Sequence, residues 1–210
     1  MNIIGDVAGR FDELIKLVRI IPNEKIILVG DLNDRGKGSN KVIEWAMNTK
    51  DVITLHSNHG DMMVDFYDGI KKYHYTDFLR NGGDSTCKSY GVSYKSIPLD
   101  NIVEDFKSKV PKEHIEFLRE CPLRYEEDSV LVSHAAWDST LNDFDKIWNR
   151  DYPKKINNKI QVFGHNSHWG LTYFDNKINP YAICIDTSKD SILTCYNTNN
   201  KQIYQVEYSD

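Results

Sequence analysis

The feature that most constrains this chain is a rhythm of short apolar runs that each stop at a polar cluster. Ile3-Ile4 ends at Gly5-Asp6, Ile26-Ile27-Leu28-Val29 at Gly30-Asp31, and Val52 to Leu55 runs into Ser57-Asn58-His59. Between these runs, Phe11, Leu14, Ile15, Leu17 and Val18 recur at helical spacing, and Ser39 opens a second such stretch with Val42, Ile43, Trp45 and Ala46. The first 60 residues therefore read strand, helix, strand, helix, strand, the alternation of an α/β layered fold. In open α/β sheets, ligands gather outside the carboxyl ends of the strands, so three consecutive strands aim polar groups at one edge.

The pattern resumes after a mainly helical, amphipathic stretch of about residues 61–123, in which Asn81-Gly82-Gly83 marks a loop between helices. Val130-Leu131-Val132 ends at His134, and Ile160 to Phe163 ends at Gly164-His165. Tyr181 to Asp186, Ile192 to Tyr196 and Gln202 to Tyr208 read as closing strands, expected to be antiparallel. At 210 residues, 40% of them hydrophobic, the chain suits one domain over 1–210, with 61–123 as a cap-like helical insertion. A net charge of −5 argues against a stable nucleic-acid complex. No apolar run approaches the ~18 residues of a membrane span. Cys87, Cys121, Cys184 and Cys195 lack CxxC spacing and read as reduced thiols. With no signal-like N-terminus, the expected location is the cytoplasm.

Five strand ends thus deliver Asp6, Asp31 with Asp34 and Arg35, Asn58 with His59, His134, and His165. A Gly-Asp or Gly-His pair in isolation is usually a turn; the ordered set carries the signal. Carboxylate, amide and imidazole donors suit divalent ions such as manganese, iron, zinc or nickel. Asp31 is a candidate bridge between two ions, and two ions ~3.5–4 Å apart activate a water and clamp an in-line phosphoryl displacement. His59 with Asp34 supplies a general acid, and the Arg35 guanidinium matches phosphate oxygens in pairs.

These residues resemble the phosphoprotein phosphatase branch of the calcineurin-like metallophosphoesterases, in particular the small phage and bacterial serine/threonine protein phosphatases. The matching pieces are Gly5-Asp6-Val7-Ala8-Gly9, Gly30-Asp31-Leu32-Asn33-Asp34-Arg35-Gly36, Ser57-Asn58-His59-Gly60, Ser133-His134 and Gly164-His165. Asn81-Gly82-Gly83, Ile147-Trp148-Asn149-Arg150 and Ile183-Cys184-Ile185-Asp186-Thr187 resemble further segments of the phage-type members. The resemblance implies a β-sandwich flanked by helices, with metals at the strand ends. It implies that Asp6 binds a first metal, that Asp31 bridges, and that Asn58, His134 and His165 bind a second. His59 would be the acid, oriented by Asp34, with Arg35 and Arg150 on the phosphate. The implied cofactor is a pair of divalent ions, often manganese. The implied substrate is a phosphoserine or phosphothreonine protein, or a nucleotide such as a dinucleoside tetraphosphate or cyclic phosphodiester. A phage-encoded chain would work in the host cytoplasm.

Two departures qualify this resemblance. The family's first motif has a histidine where this chain has Ala8, which offers no donor atom and predicts a weakened first metal site. Ala8 reads either as a disabling substitution or as natural drift in a phosphate-binding module that no longer turns over. Ser57 and Gly60 also replace the expected Gly and Glu, with Asp61 adjacent as a substitute carboxylate. His56, His74, His114 and His168 are read as structural or loop residues.

Overall fold

The computed structural model describes residues 1–70, 75–93, 98–167 and 170–209. The expected roles of His74 and His168 lie outside these residues. The described residues form two five-stranded sheets. The first holds β1 (Asn2–Ile4), β2 (Ile26–Leu28), β3 (Val52–Thr54), β9 (Ile192–Asn197) and β10 (Ile203–Glu207), in the order β10-β9-β1-β2-β3. The second holds β4 (Arg124–Glu126), β5 (Val130–Ser133), β6 (Ile160–Phe163), β7 (Thr172–Phe174) and β8 (Ala182–Cys184), in the order β4-β5-β6-β8-β7.

Side chains alternate across each sheet. Ile3 and Ile27 meet Val130, Val132, Val162 and Ile183 in the core between the sheets. Ile4, Ile26 and Leu28 turn to the other side, against α1 (Phe11–Ile20) and α2 (Ser39–Asn48). Both faces of the parallel strands are therefore covered, which is why they read as unbroken apolar runs rather than as alternation.

β1, β2 and β3 run parallel, as do β5, β6 and β8. The carboxyl ends of the parallel strands carry the polar clusters. β9 and β10 are antiparallel as expected, but β8 is not: it lies parallel to β6 and antiparallel only to β7. Its carboxyl end, at Asp186, consequently joins the same edge.

The middle of the chain forms α3 (Asn58–Asp68), α4 (Tyr75–Phe78), α5 (Asp84–Ser89), α6 (Leu99–Lys109) and α7 (Lys112–Glu120). A short helix, α8 (Asp143–Trp148), precedes β6. Phe66, Phe78 and Phe106 pack ring against ring, Phe66 lying 4.7 Å from Phe78 and 5.2 Å from Phe106. Such pairs add ~0.5–1.5 kcal/mol beyond burial, and they fix the segment after Phe78. That segment, Leu79–Gly83, is π-helical with a kink at Gly82 and runs into α5, where the sequence suggested a loop. His114 has more structure than expected: it is buried, with Nδ1 2.7 Å from the Tyr90 hydroxyl and Nε2 2.7 Å from Glu44 Oε2. No cysteine is in a disulfide, and no described helix is long and apolar enough to cross a membrane.

Candidate metal centre

The loops at the strand ends are built from backbone that most residues avoid. Ala8, Asp31, Asp34, Arg35 and His165 all have positive φ, from 45° at Asp31 to 72° at Asp34. Each such residue costs on the order of 1 kcal/mol or more, and strain of this kind concentrates at functional sites. The strained turn is clamped from several sides. Ser57 caps α3 by accepting from Gly60 N, and its Oγ also accepts from Asp31 N at 2.9 Å. Asp34 N donates to Thr86 Oγ1 at 2.9 Å and to Ser39 Oγ at 3.1 Å. Arg35 N donates to the Gly82 carbonyl, and a Cβ at Gly82 (φ 110°) would stand 2.7 Å from that same nitrogen. The second and third strand ends and α5 are thus locked together around the carboxylates.

The structure brings Asp6, Asp31, Asn58, His134 and His165 together, all of them buried. Ligand atoms of Asp6, Asp31 and His134 lie within 4.8 Å of one another. His134 Nδ1 lies 3.0 Å from the Val29 carbonyl oxygen, which can only accept, so the ring proton resides on Nδ1. Burial keeps the imidazole neutral by lowering its pKa. His134 Nε2 is then a bare lone pair, and it faces Asn58 Oδ1 at 2.8 Å and Asp31 Oδ1 at 3.5 Å. His165 Nδ1 lies 3.1 Å from the same Asn58 oxygen, and its Nε2 is buried with no partner among the described residues. Burial, with His134 beside it, pushes the His165 pKa down to about 3. His134 Nε2, Asn58 Oδ1 and Asp31 Oδ1 converge with no proton between them, and a divalent cation resolves such a convergence. Asp31, Asn58, His134 and His165 therefore fit a metal.

The other half of the centre is poorer. Asp6 accepts from His165 N at 3.1 and 3.2 Å. Its pKa is raised well above the usual range by burial, then by the facing charges of Asp186 and Asp31. Ala8 contributes only backbone here, donating its N–H to the Asp31 carbonyl. Its φ of 47° belongs to a region where histidine is enriched and alanine is not. Asp61, adjacent in sequence, faces His56 at 3.6 Å.

Beside the cluster stands a second unit. His59 Nδ1 meets Asp34 Oδ2 at 2.5 Å, and His59 Nε2 lies 3.8 Å from Asp31 Oδ2 and 3.3 Å from Arg35 Nη2. Burial would lower the His59 pKa, but Asp31 and Asp34 outweigh it and raise the pKa above its ordinary value. Burial likewise opposes the Asp31 carboxylate, yet the neighbouring groups, His59 foremost and the Arg35 guanidinium among them, hold its carboxyl well below the usual range. Asp34 is fully buried and also accepts from Thr86 Oγ1 at 2.6 Å and Asn33 Nδ2 at 2.9 Å.

Arg150 is exposed and stands apart from this unit, with Nη1 3.3 Å from Asn166 Oδ1. Asn149 holds its corner by donating to the Ala136 carbonyl, and Trp148 packs edge-on to His165 at 6.2 Å. Sequence reasoning gave no site role to the supports Thr86, Ser39 and Ser57, nor to Asp186, which it named only within a segment resembling the phage-type members and at the end of an apolar run.

A family model described as calcineurin-like phosphoesterase matches residues 2–196. The chain is 26% identical over 138 residues to the symmetrical bis(5'-nucleosyl)-tetraphosphatase of Methylobacillus flagellatus, covering 63% of this chain and 42% of the relative. It therefore spans less than half of that relative's length. The fold is similar to a solved structure of a protein inferred to be a diadenosine tetraphosphatase, with TM-score 0.69, 16% identity, and 100% and 94% of the two chains covered. It is also similar to a metallophosphoesterase from Sphaerobacter thermophilus, with TM-score 0.57, 13% identity, and 100% and 90% covered.

Proposed function

Because this chain belongs to the calcineurin-like phosphoesterase family, we propose that it is a metal-dependent phosphoester hydrolase whose substrate is a nucleotide with a phosphoanhydride chain, such as a dinucleoside tetraphosphate. The observation that carries the hydrolase reading is the convergence of acceptors on Asp31, Asn58 and His134, with the neutral imidazole of His165 against the same Asn58 oxygen, next to the His59–Asp34 pair. The sequence similarity to a bis(5'-nucleosyl)-tetraphosphatase supports the nucleotide over the phosphoprotein first expected from the motifs.

Asp31, Asn58, His134 and His165, and more weakly Asp6, would hold divalent ions, which would supply an activated water and neutralise phosphoryl charge. Every other part is the protein's. Arg35 binds two phosphate oxygens with its guanidinium fork, and Arg150, exposed beside Asn166, assists. As the water's oxygen bonds to phosphorus, the bond to the leaving oxygen breaks, and His59 Nε2 gives that oxygen its proton. Asp34 holds the imidazole in line and stabilises its charged form. With Ala8 in place of an imidazole, turnover is reduced.

A second reading, hydrolysis of phosphoserine or phosphothreonine, is favoured by the His59–Asp34 acid itself. An alkoxide leaving group needs a proton far more than a departing nucleotide does. Comparing kcat/KM for a dinucleoside tetraphosphate, a phosphothreonine peptide and an aryl phosphate in manganese separates these. The nucleotide reading expects the dinucleotide to be the best substrate. Preference for the peptide turns the assignment to the second reading, and binding without turnover of any substrate overturns the hydrolase altogether.

A further inference from the structure

We infer that the chain carries a second anion subsite beside its hydrolytic centre, formed by Arg10 and Lys189, which takes the neighbouring phosphate of an oligophosphate chain. The inference rests on the proposed nucleotide substrate and specifies what part of that substrate must be held.

A cleft of about 350 Å³ opens next to the candidate metal centre, lined among others by Ala8, Arg10, Arg35, Ser167, Lys189 and Tyr208. Arg35 also touches His59, so the cleft begins where the reacting phosphate sits. Ala8 lines it with only a methyl group, where a longer side chain would narrow it. Among the described residues, none that lines it is acidic. None of the three cations forms an ion pair among the described residues.

The position of Arg10 is built rather than incidental. Its guanidinium lies 4.4 Å above the Tyr208 ring. Tyr208 is held in turn by its own N–H on the Ser191 carbonyl, and by Ser209, whose N and Oγ both donate to Glu13 Oε1 at 2.9 and 2.5 Å. Tyr208 and Ser209 are thereby tied to α1 beside Arg10. A cation over an aromatic ring stabilises by ~0.5–2 kcal/mol, which explains why the pair is together. It does not use the fork of N–H donors. Arg10 Nε and Tyr208 Oη are both buried without a hydrogen-bond partner among the described residues. A guanidinium pre-positioned, unpaired and one cleft away from the reacting centre matches a second phosphate group. A phosphorylated side chain, with its single phosphate, has nothing to place there.

Binding of non-cleavable probes tests this without turnover. Methylenebisphosphonate carries two linked phosphonates, and methylphosphonate carries one. Their affinities for the full chain are measured by calorimetry in excess magnesium, for wild type, Arg10→Ala and Lys189→Ala. The experiment reads the ratio of the two affinities. The wild type is expected to favour the bisphosphonate by at least ~10-fold, and each substitution to cut that ratio by roughly 10-fold, the scale of one charge-assisted hydrogen bond. A wild-type ratio near one, or a ratio unchanged in both variants, overturns the subsite. Lys189 is exposed, so its variant remains informative if Arg10→Ala loosens the chain end. If dinucleotides are cleaved while the ratio stays flat, the subsite alone fails. If the ratio falls as expected while dinucleotides resist cleavage, the nucleotide reading alone fails.

Discussion

Replacing Asp34 by asparagine removes one charge and no volume, and the surrounding hydrogen bonds determine its effect. Three donors converge on the carboxylate: His59 Nδ1 on one oxygen, and Thr86 Oγ1 and Asn33 Nδ2 on the other. An amide has one acceptor oxygen. Turned so that its NH₂ faces Thr86 and Asn33, it would oppose two donors, so it settles with its NH₂ towards His59. Nδ1 must then accept, and the imidazolium is disfavoured. His59 is left neutral and loses a hydrogen bond of the charged class, worth ~1.5–3 kcal/mol. That corresponds to roughly 10–150-fold in kcat/KM, at about 1.4 kcal/mol per tenfold. The sign on the pH axis is also fixed. Asp34 helps raise the His59 pKa, a general acid works below its pKa, and activity falls as pH rises through it. Without Asp34 that fall moves to lower pH. The assay is the pH profile of kcat/KM in manganese for an alkyl phosphate and an aryl phosphate, the alkyl ester losing more because its leaving group needs the proton. An Asp34→Asn enzyme with wild-type rates and the same alkaline limb on the alkyl ester would refute the assignment of His59 as the acid.

Other substitutions probe the neighbouring supports. Gly82→Ala puts a Cβ 2.7 Å from Arg35 N in a backbone with φ 110°; a loss of ~1–3 kcal/mol is expected, read as a lower melting temperature, with weaker phosphate binding through Arg35. His134→Ala removes the bare lone pair that faces Asn58 and Asp31. Saturating manganese should stabilise the wild type by ~2.7 kcal/mol at a hundred times its dissociation constant and leave the variant unmoved, as checked by thermal melts with and without the ion. Ala8→His restores a donor to backbone already in the left-handed region; a gain of ~10²-fold in aryl phosphate hydrolysis is expected, and no gain means that position 8 is not the defect.

The strand ends were legible because β1, β2, β5 and β6 are largely buried on both faces and, with the half-buried β3, spell out apolar runs that stop abruptly at Asp6, Asp31, His59, His134 and His165. β4 and β7 left no such mark: their residues are half-buried or exposed, so nothing forces an apolar pattern. The direction of β8 was not legible either, since a short apolar run reads the same in either sense, and that hid Asp186 from the set of site residues. Asn81-Gly82-Gly83 reads as a loop because glycine usually marks one. Here Gly82 serves close approach to Arg35, a reason visible only once α5 is packed against the turn. Thr86, Arg10 and Tyr208 are long-range partners of the turn and of α1, and no local pattern announces such contacts.

The central claim is that the acceptors of Asp31, Asn58, His134 and His165 form one complete divalent-cation site, and that Ala8 leaves its neighbour incomplete. The most direct test is elemental analysis of the chain after equilibrium dialysis against micromolar manganese, next to the Ala8→His variant. One tightly held ion per wild-type chain and two per variant chain are predicted. No retained ion in the wild type would contradict the acceptor-cluster argument, and two would contradict the role given to Ala8.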